Sequence, residues 1–126
     1  MNFKPILIVS GEPNSIFSEL LVKSFKKYKN AHPIVLIGSL SLISSQLKKL
    51  GLKLKLNPIL LESNHLKNLK KDKINLLNIN YKFKKPFENS SSKSNKYISK
   101  CFNEAFKIIR FNKIIGLING PVSKTN

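Results

Sequence analysis

Three apolar runs, each short and each ended by a glycine, constrain this chain more than any other feature. Pro5 to Val9 leads into Ser10 and Gly11, Pro33 to Ile37 into Gly38, and Lys113 to Ile118 into Asn119 and Gly120. Runs of this length, rich in β-branched residues and closed by turn residues, fit strands buried on both faces of a parallel sheet. Parallel strands require crossover connections, and amphipathic stretches follow in the right places. Phe17, Leu20, Leu21, Ser24, Phe25 and Tyr28 recur at three- and four-residue steps, with Lys23, Lys26, Lys27 and Lys29 largely elsewhere, which predicts a helix with a solvated lysine face. Leu40, Ile43, Leu47 and Leu50 predict a second helix, closed by Gly51 in the C′ position.

Leu52-Lys53-Leu54-Lys55-Leu56 alternates strictly, which predicts a strand with one wet face near a sheet edge, ended by Pro58. Residues 62 to 73 are polar and lysine-rich and read as a surface connection, followed by a short strand over Ile74 to Ile79. Phe83 to Ser94 carries Pro86 and the hydroxyls of Ser90, Ser91 and Ser92, which suit a loop ending in a helix cap. Tyr97, Ile98, Cys101, Phe102, Ala105, Ile108 and Ile109 then hold helical spacing for more than three turns before the strand at Lys113 to Ile118. There is no internal repeat. Alternating strands and helices give an α/β class with a mostly parallel sheet and flanking helices, and 126 residues suffice for one core.

The formal net charge of +17 points first to nucleic acid or another anionic surface. Arg110 is the sole arginine among 23 basic residues, however, and specific phosphate and base recognition favours the bidentate guanidinium. The chain is also loaded with asparagine and isoleucine, so the lysine excess reads better as the output of an AT-biased genome than as a nucleic-acid interface. No apolar run approaches the ~20 residues that span a bilayer, and no cleavable leader is legible, so a cytoplasmic protein without a membrane partner is expected. Cys101, the single cysteine, falls on the apolar side of its helix and reads as a small buried hydrophobe, excluding an internal disulfide and a cysteine-based zinc cluster.

In parallel sheets ligands bind beyond the carboxyl ends of the strands, which directs attention to Gly11 to Ser15 and to Asn119 to Lys124. The first segment is a strand-to-helix turn whose backbone amides favour an anion, with Glu12 as a carboxylate for hydrogen bonding or for orienting a metal. It lacks the glycine-lysine-serine of a phosphate loop and the glycine spacing of a dinucleotide loop. A capped helix start with a solvated glutamate reads equally well. The second segment sets Lys124 where its ammonium can meet a phosphate or carboxylate, and Ser123 has no histidine or aspartate partner that the sequence pairs with it. His32 and His65 lack metal-ligand spacing.

Lys4-Pro5 and an apolar strand, then Gly11-Glu12-Pro13 with Ile16 and Glu19, resemble the N-terminal signature of 4-hydroxythreonine-4-phosphate dehydrogenases. Ile37-Gly38, Leu50-Gly51-Leu52, the serine-rich loop, Lys96-Tyr97-Ile98 with Ala105, and Gly120-Pro121-Val122-Ser123-Lys124 follow in that family's order. The resemblance covers essentially the whole chain. It implies NAD(P)-dependent oxidation and decarboxylation of 4-(phosphooxy)threonine, on the route to pyridoxal phosphate, with a divalent metal holding the phosphorylated substrate. The implied fold is that of isocitrate and isopropylmalate dehydrogenases, with two domains per subunit in a homodimer. Residues 1–126 would be its N-terminal α/β portion, inactive alone, because the family's metal-binding histidines and cofactor site come later in its sequence. Glu12 and Lys124 are the positions that carry over as substrate-binding residues. Asn14, Ser15, Phe17 and Ser18 depart from the family pattern and remove the close backbone approach that glycine permits, and Ser123 departs as well. Two other readings remain open: a stand-alone basic module for nucleic acid or acidic partners, and another enzyme of related fold acting on phosphorylated or acidic substrates.

Overall fold

The computed structural model describes residues 4–13, 17–28, 32–87 and 92–120. The chain order is β1 (Ile6–Val9), α1 (Phe17–Lys27), β2 (Ile34–Gly38), α2 (Leu40–Leu50), β3 (Leu56–Ile59), β4 (Ile74–Asn78), α3 (Ser92–Phe111) and β5 (Gly116–Asn119). The strands form one five-stranded sheet in the order β3-β4-β2-β1-β5, and every pairing is parallel. The α/β class expected from the sequence is therefore the observed one.

The period of two along a strand explains why the central runs are apolar without a break. Leu7 and Val9 of β1, Val35 and Ile37 of β2, and Leu77 of β4 share one core with Tyr97, Cys101, Ala105 and Ile108 of α3. Ile8, Ile34, Leu36, Ile74 and Leu76 belong to the other, with Leu21 and Val22 of α1 and Ile43 and Leu47 of α2. Neither set can turn to water, so both parities must be hydrophobic. No helix among the described residues is long and apolar enough to cross a membrane.

The termini of α2 follow the local rules. Ser39 is its N-cap, its hydroxyl accepting the Leu42 N–H at 3.2 Å, and Gly51 closes it at φ 67°, with its N–H directed to the Leu47 and Lys48 carbonyls. The cap expected for α3 from Ser90 to Ser92 lies outside the described residues, apart from the backbone of Ser92.

Two sequence expectations need correction. The alternating segment is not itself the strand: β3 begins at Leu56 and runs through Pro58 to Ile59. Proline is tolerated because β3 is an edge strand, where one side of the backbone has no ladder to complete. Leu52, Leu54 and Leu56 still pack on the α1–α2 core, so the alternation marked a half-buried approach to the edge. The last strand, expected to be buried, is the opposite edge, and Ile118 is 54% exposed. Ile115 and Phe106 are also exposed nearby in sequence, and periodicity alone could not tell a covered run from an uncovered one.

The connection between β3 and β4 is fixed by two asparagines. Asn75, fully buried in β4, donates to the Ile34 carbonyl at 2.9 Å and the Lys70 carbonyl at 2.7 Å, and accepts from Lys70 N–H and Asn57 Nδ2, both at 2.8 Å. Asn112, just past α3, accepts the Leu66 N–H at 2.9 Å and donates to the carbonyls of Asn64 and Ile108. The polar segment at 62–73 is thereby stitched to the sheet at one end and to α3 at the other.

Candidate functional site

The carboxyl ends of β1, β2 and β5 meet on one side of the sheet. β1 sits where the chain order breaks, with β2 on one flank and β5, reached through α3, on the other. Crevices of this kind are where parallel α/β sheets place ligands.

Gly11 opens the turn after β1 at φ 74°, a left-handed value that a side chain would strain, and Glu12 follows, only 8% exposed. The turn is held from α2: Gln46 Nε2 donates to the carbonyls of Pro13 at 2.5 Å and Pro86 at 2.8 Å, while Gln46 Oε1 accepts from Ser18 Oγ at 2.6 Å. One buried amide thus fixes the turn after β1, the start of α1 and the loop before α3. At the end of β5 the Gly120 N–H donates to the Val9 carbonyl at 2.7 Å. A Cβ at Gly120 would overlap the Ser10 carbonyl and press on Phe17, so the second segment reaches the first only because this residue has no side chain.

Beneath the mouth lies a second buried polar cluster. Tyr97 of α3 places its hydroxyl 3.0 Å from Ser10 Oγ and accepts the Ser39 N–H at 2.8 Å. Its ring lies 4.7 Å from that of Tyr81, whose hydroxyl is 3.2 Å from Ser94 Oγ. Burial raises the Tyr97 pKa well above its usual range, and the nearby Cys101 thiol adds to the rise. Burial pushes the Cys101 thiol up to about 11, against partial relief from hydrogen bonding to Ser10 and Tyr97. Both groups are protonated at neutral pH, so this cluster is scaffold rather than a nucleophile. Asn78, at the end of β4, accepts the Leu40 N–H at 2.8 Å and completes the start of α2.

The two segments singled out in the sequence are therefore brought together up to Gly120, and Glu12 stands buried on the shared mouth. Lys124 and Ser123 lie outside the described residues, as do Asn14 and Ser15. His32 and His65 lie elsewhere: His32 Nδ1 is 3.0 Å from the Lys4 carbonyl at the amino end of the sheet, and His65 packs edge-on against Phe111. Among the described residues no three of His, Cys, Asp and Glu are grouped to hold a metal ion. Sequence reasoning missed Gln46, Ser10 and the hydroxyl role of Tyr97. Gln46 carried a usable signal, a polar residue at the core-facing spacing of Ile43, Leu47 and Leu50.

No protein-family model matches the sequence, and no curated protein matches it either. Solved structures do. The chain superposes on 4-hydroxythreonine-4-phosphate dehydrogenases from Burkholderia phymatum and Klebsiella pneumoniae with a TM-score of 0.76 for each. It has the fold of these dehydrogenases. Identity is 18% and 17%, respectively, and coverage is 98% and 96% of this chain but 38% of either of theirs. A Salmonella typhimurium protein assigned the same activity gives the same TM-score at 17% identity. The α/β fold implied by the sequence resemblance for this portion is thus the fold found, and the chain spans somewhat more than a third of the length of those dehydrogenases.

Proposed function

We propose that residues 1–126 are the N-terminal α/β portion of an NAD(P)-dependent 4-hydroxythreonine-4-phosphate dehydrogenase, oxidising and decarboxylating 4-(phosphooxy)threonine in a homodimer. The observation that carries this reading is that the first family-like segment lies beside Gly120, the residue that opens the second. Gly11-Glu12-Pro13 and Asn119-Gly120 come from opposite ends of the chain and meet at the carboxyl ends of β1 and β5. The fold likeness to dehydrogenases of that activity supports it independently of those motifs.

In this reading the portion contributes a wall of the substrate site. Glu12 orients the substrate or accepts a hydrogen bond from it, and Lys124 meets its phosphate as a point charge. The described residues fit neither cofactor: they bring no metal-ligating cluster together, and the turn after β1 lacks dinucleotide glycine spacing. In this reading the metal ligands and the nicotinamide site belong to other residues of the whole enzyme, and this portion alone does not turn over substrate.

The test is to read the gene beyond the codon for Asn126 and assay its longest product for reduction of NAD+ or NADP+ with 4-(phosphooxy)threonine and a divalent metal. The expected result is a continuation carrying a Gly-x-Thr-Glu-like stretch and spaced histidines, with turnover that falls at least about tenfold in Lys124→Ala. A stop codon directly after Asn126 in an intact transcript, or no reduction of either nucleotide by the longer product, overturns the assignment.

A further inference from the structure

The amino end of the sheet, opposite the mouth, holds a groove of about 880 Å3. Lys4 from the entry to β1, Lys67 and Lys71 from the stitched connection and Lys113 from the exit of α3 line it, together with Phe111 and Asn112. No aspartate or glutamate is among its lining residues. Lys67 pairs with Glu62 at 3.1 Å, but both side chains are more than half exposed, so the pair is weak and readily exchanged.

We propose that this groove binds single-stranded nucleic acid without sequence preference. Scattered lysines give only a diffuse field, whereas here four lysines from three separate segments line one concavity. Lysine without arginine recognises phosphate as charge and does not read base edges, so the contact is to the backbone. Phe111 is 43% exposed at the groove, with His65 packed against it at 6.4 Å, and offers a face for an unpaired base. A duplex keeps its bases stacked and out of reach of such a ring, which selects the single strand. The backbone of this wall is held in place by Asn112, which accepts the Leu66 N–H, and by Asn75, which bonds Lys70 beside it, so the segment needs no folding to bind. The inference is independent of the dehydrogenase reading, because it uses the other end of the sheet.

The experiment is fluorescence anisotropy of the full chain with a labelled oligothymidylate of about ten nucleotides, titrated over a range of salt. Four lysines on phosphates predict a log–log salt slope of about −3 for a single strand. The double variant Lys4→Glu with Lys113→Glu weakens binding at least about tenfold and reduces the slope by about 1.4. Phe111→Ala weakens it about fivefold or more without changing the slope. The matched reversal Lys26→Glu with Lys27→Glu, on the exposed last turn of α1, changes affinity less than about twofold beyond the common loss of net charge. Equal losses in both double variants would mean that net charge alone binds the strand, and the groove would be rejected. Equally tight binding of duplex, or Phe111→Ala binding like the parent, overturns the stacked single strand.

Discussion

The Tyr97 hydroxyl accepts the Ser39 N–H at 2.8 Å and lies 3.0 Å from Ser10 Oγ, so one side chain of α3 ties together the carboxyl ends of β1 and β2. Tyr97 is 2% exposed and Ser39 1%, which leaves water no route to replace the bond. Tyr97→Phe keeps the ring against Tyr81 but strands a buried N–H. It is expected to cost about 1 to 3 kcal/mol, read as a lower urea midpoint at unchanged slope. A midpoint equal to that of the parent would mean that the mouth does not depend on this hydroxyl.

The fold was legible because its strongest signals are those that burial enforces. Pro33 to Ile37 must be apolar on both faces, and Gly51 must adopt a left-handed cap, and both were readable from residue type alone. The edge position of β3 was legible in its alternation, and only the stop at Pro58 was wrong, because an edge strand tolerates proline. Ile118 misled because what covers a strand is decided by what the rest of the chain places beside it, not by its own residues. At the site, Glu12 and Gly120 were found from their positions after strands. Helical spacing marks Gln46 as core-facing, but its amide bonds partners 28, 33 and 40 residues away, and no local pattern encodes which they are.

Gly120 and Gly38 separate two kinds of crowding at the mouth. A methyl group at Gly38 would meet Ser10 Oγ at 2.9 Å and the Tyr97 hydroxyl at 3.1 Å, both side-chain atoms that can move a few tenths of an ångström. At Gly120 it would meet the Ser10 backbone, and β5 would have to move away from β1. Gly120→Ala should therefore destabilise by about 2 kcal/mol or more, and Gly38→Ala by less, on the usual scale of overpacking. Thermal unfolding of the two variants gives the order, and the reverse order would contradict the close approach at β5.

Asn75 makes four hydrogen bonds from a fully buried position, and two of them hold Lys70. Asn75→Ala removes them all and leaves the Ile34 carbonyl without that donor. A loss of about 3 kcal/mol is expected from buried groups left unpaired. The Lys70 amide should exchange its hydrogen much faster in the variant than amides in α2, because the connection would open locally. Uniform acceleration across the chain would instead show that Asn75 serves global stability with no special hold on the groove wall.

The Cys101 thiol gives stability a pH dependence whose sign is fixed. Its ordinary pKa of 9.0 applies in the unfolded chain, and burial raises it to about 11 in the folded one. Below about pH 9 both states hold the proton and the full stability is present. Between 9 and 11 the unfolded chain releases the proton while the folded one keeps it, so unfolding gains and stability falls. Two units correspond to a loss on the order of 2 to 3 kcal/mol at the alkaline end. Tyr97, raised in the same direction by its own burial, adds to the loss above its usual range. Urea unfolding from pH 8 to 11 should show this decline, and Cys101→Ala should flatten the portion that begins near 9. At pH 8 the native thiol should also resist alkylation until the chain unfolds, because it is fully buried and almost wholly protonated. Rapid labelling of the folded chain, or a decline identical in Cys101→Ala, would place the thiol in contact with water and remove Cys101 as the source of the alkaline instability.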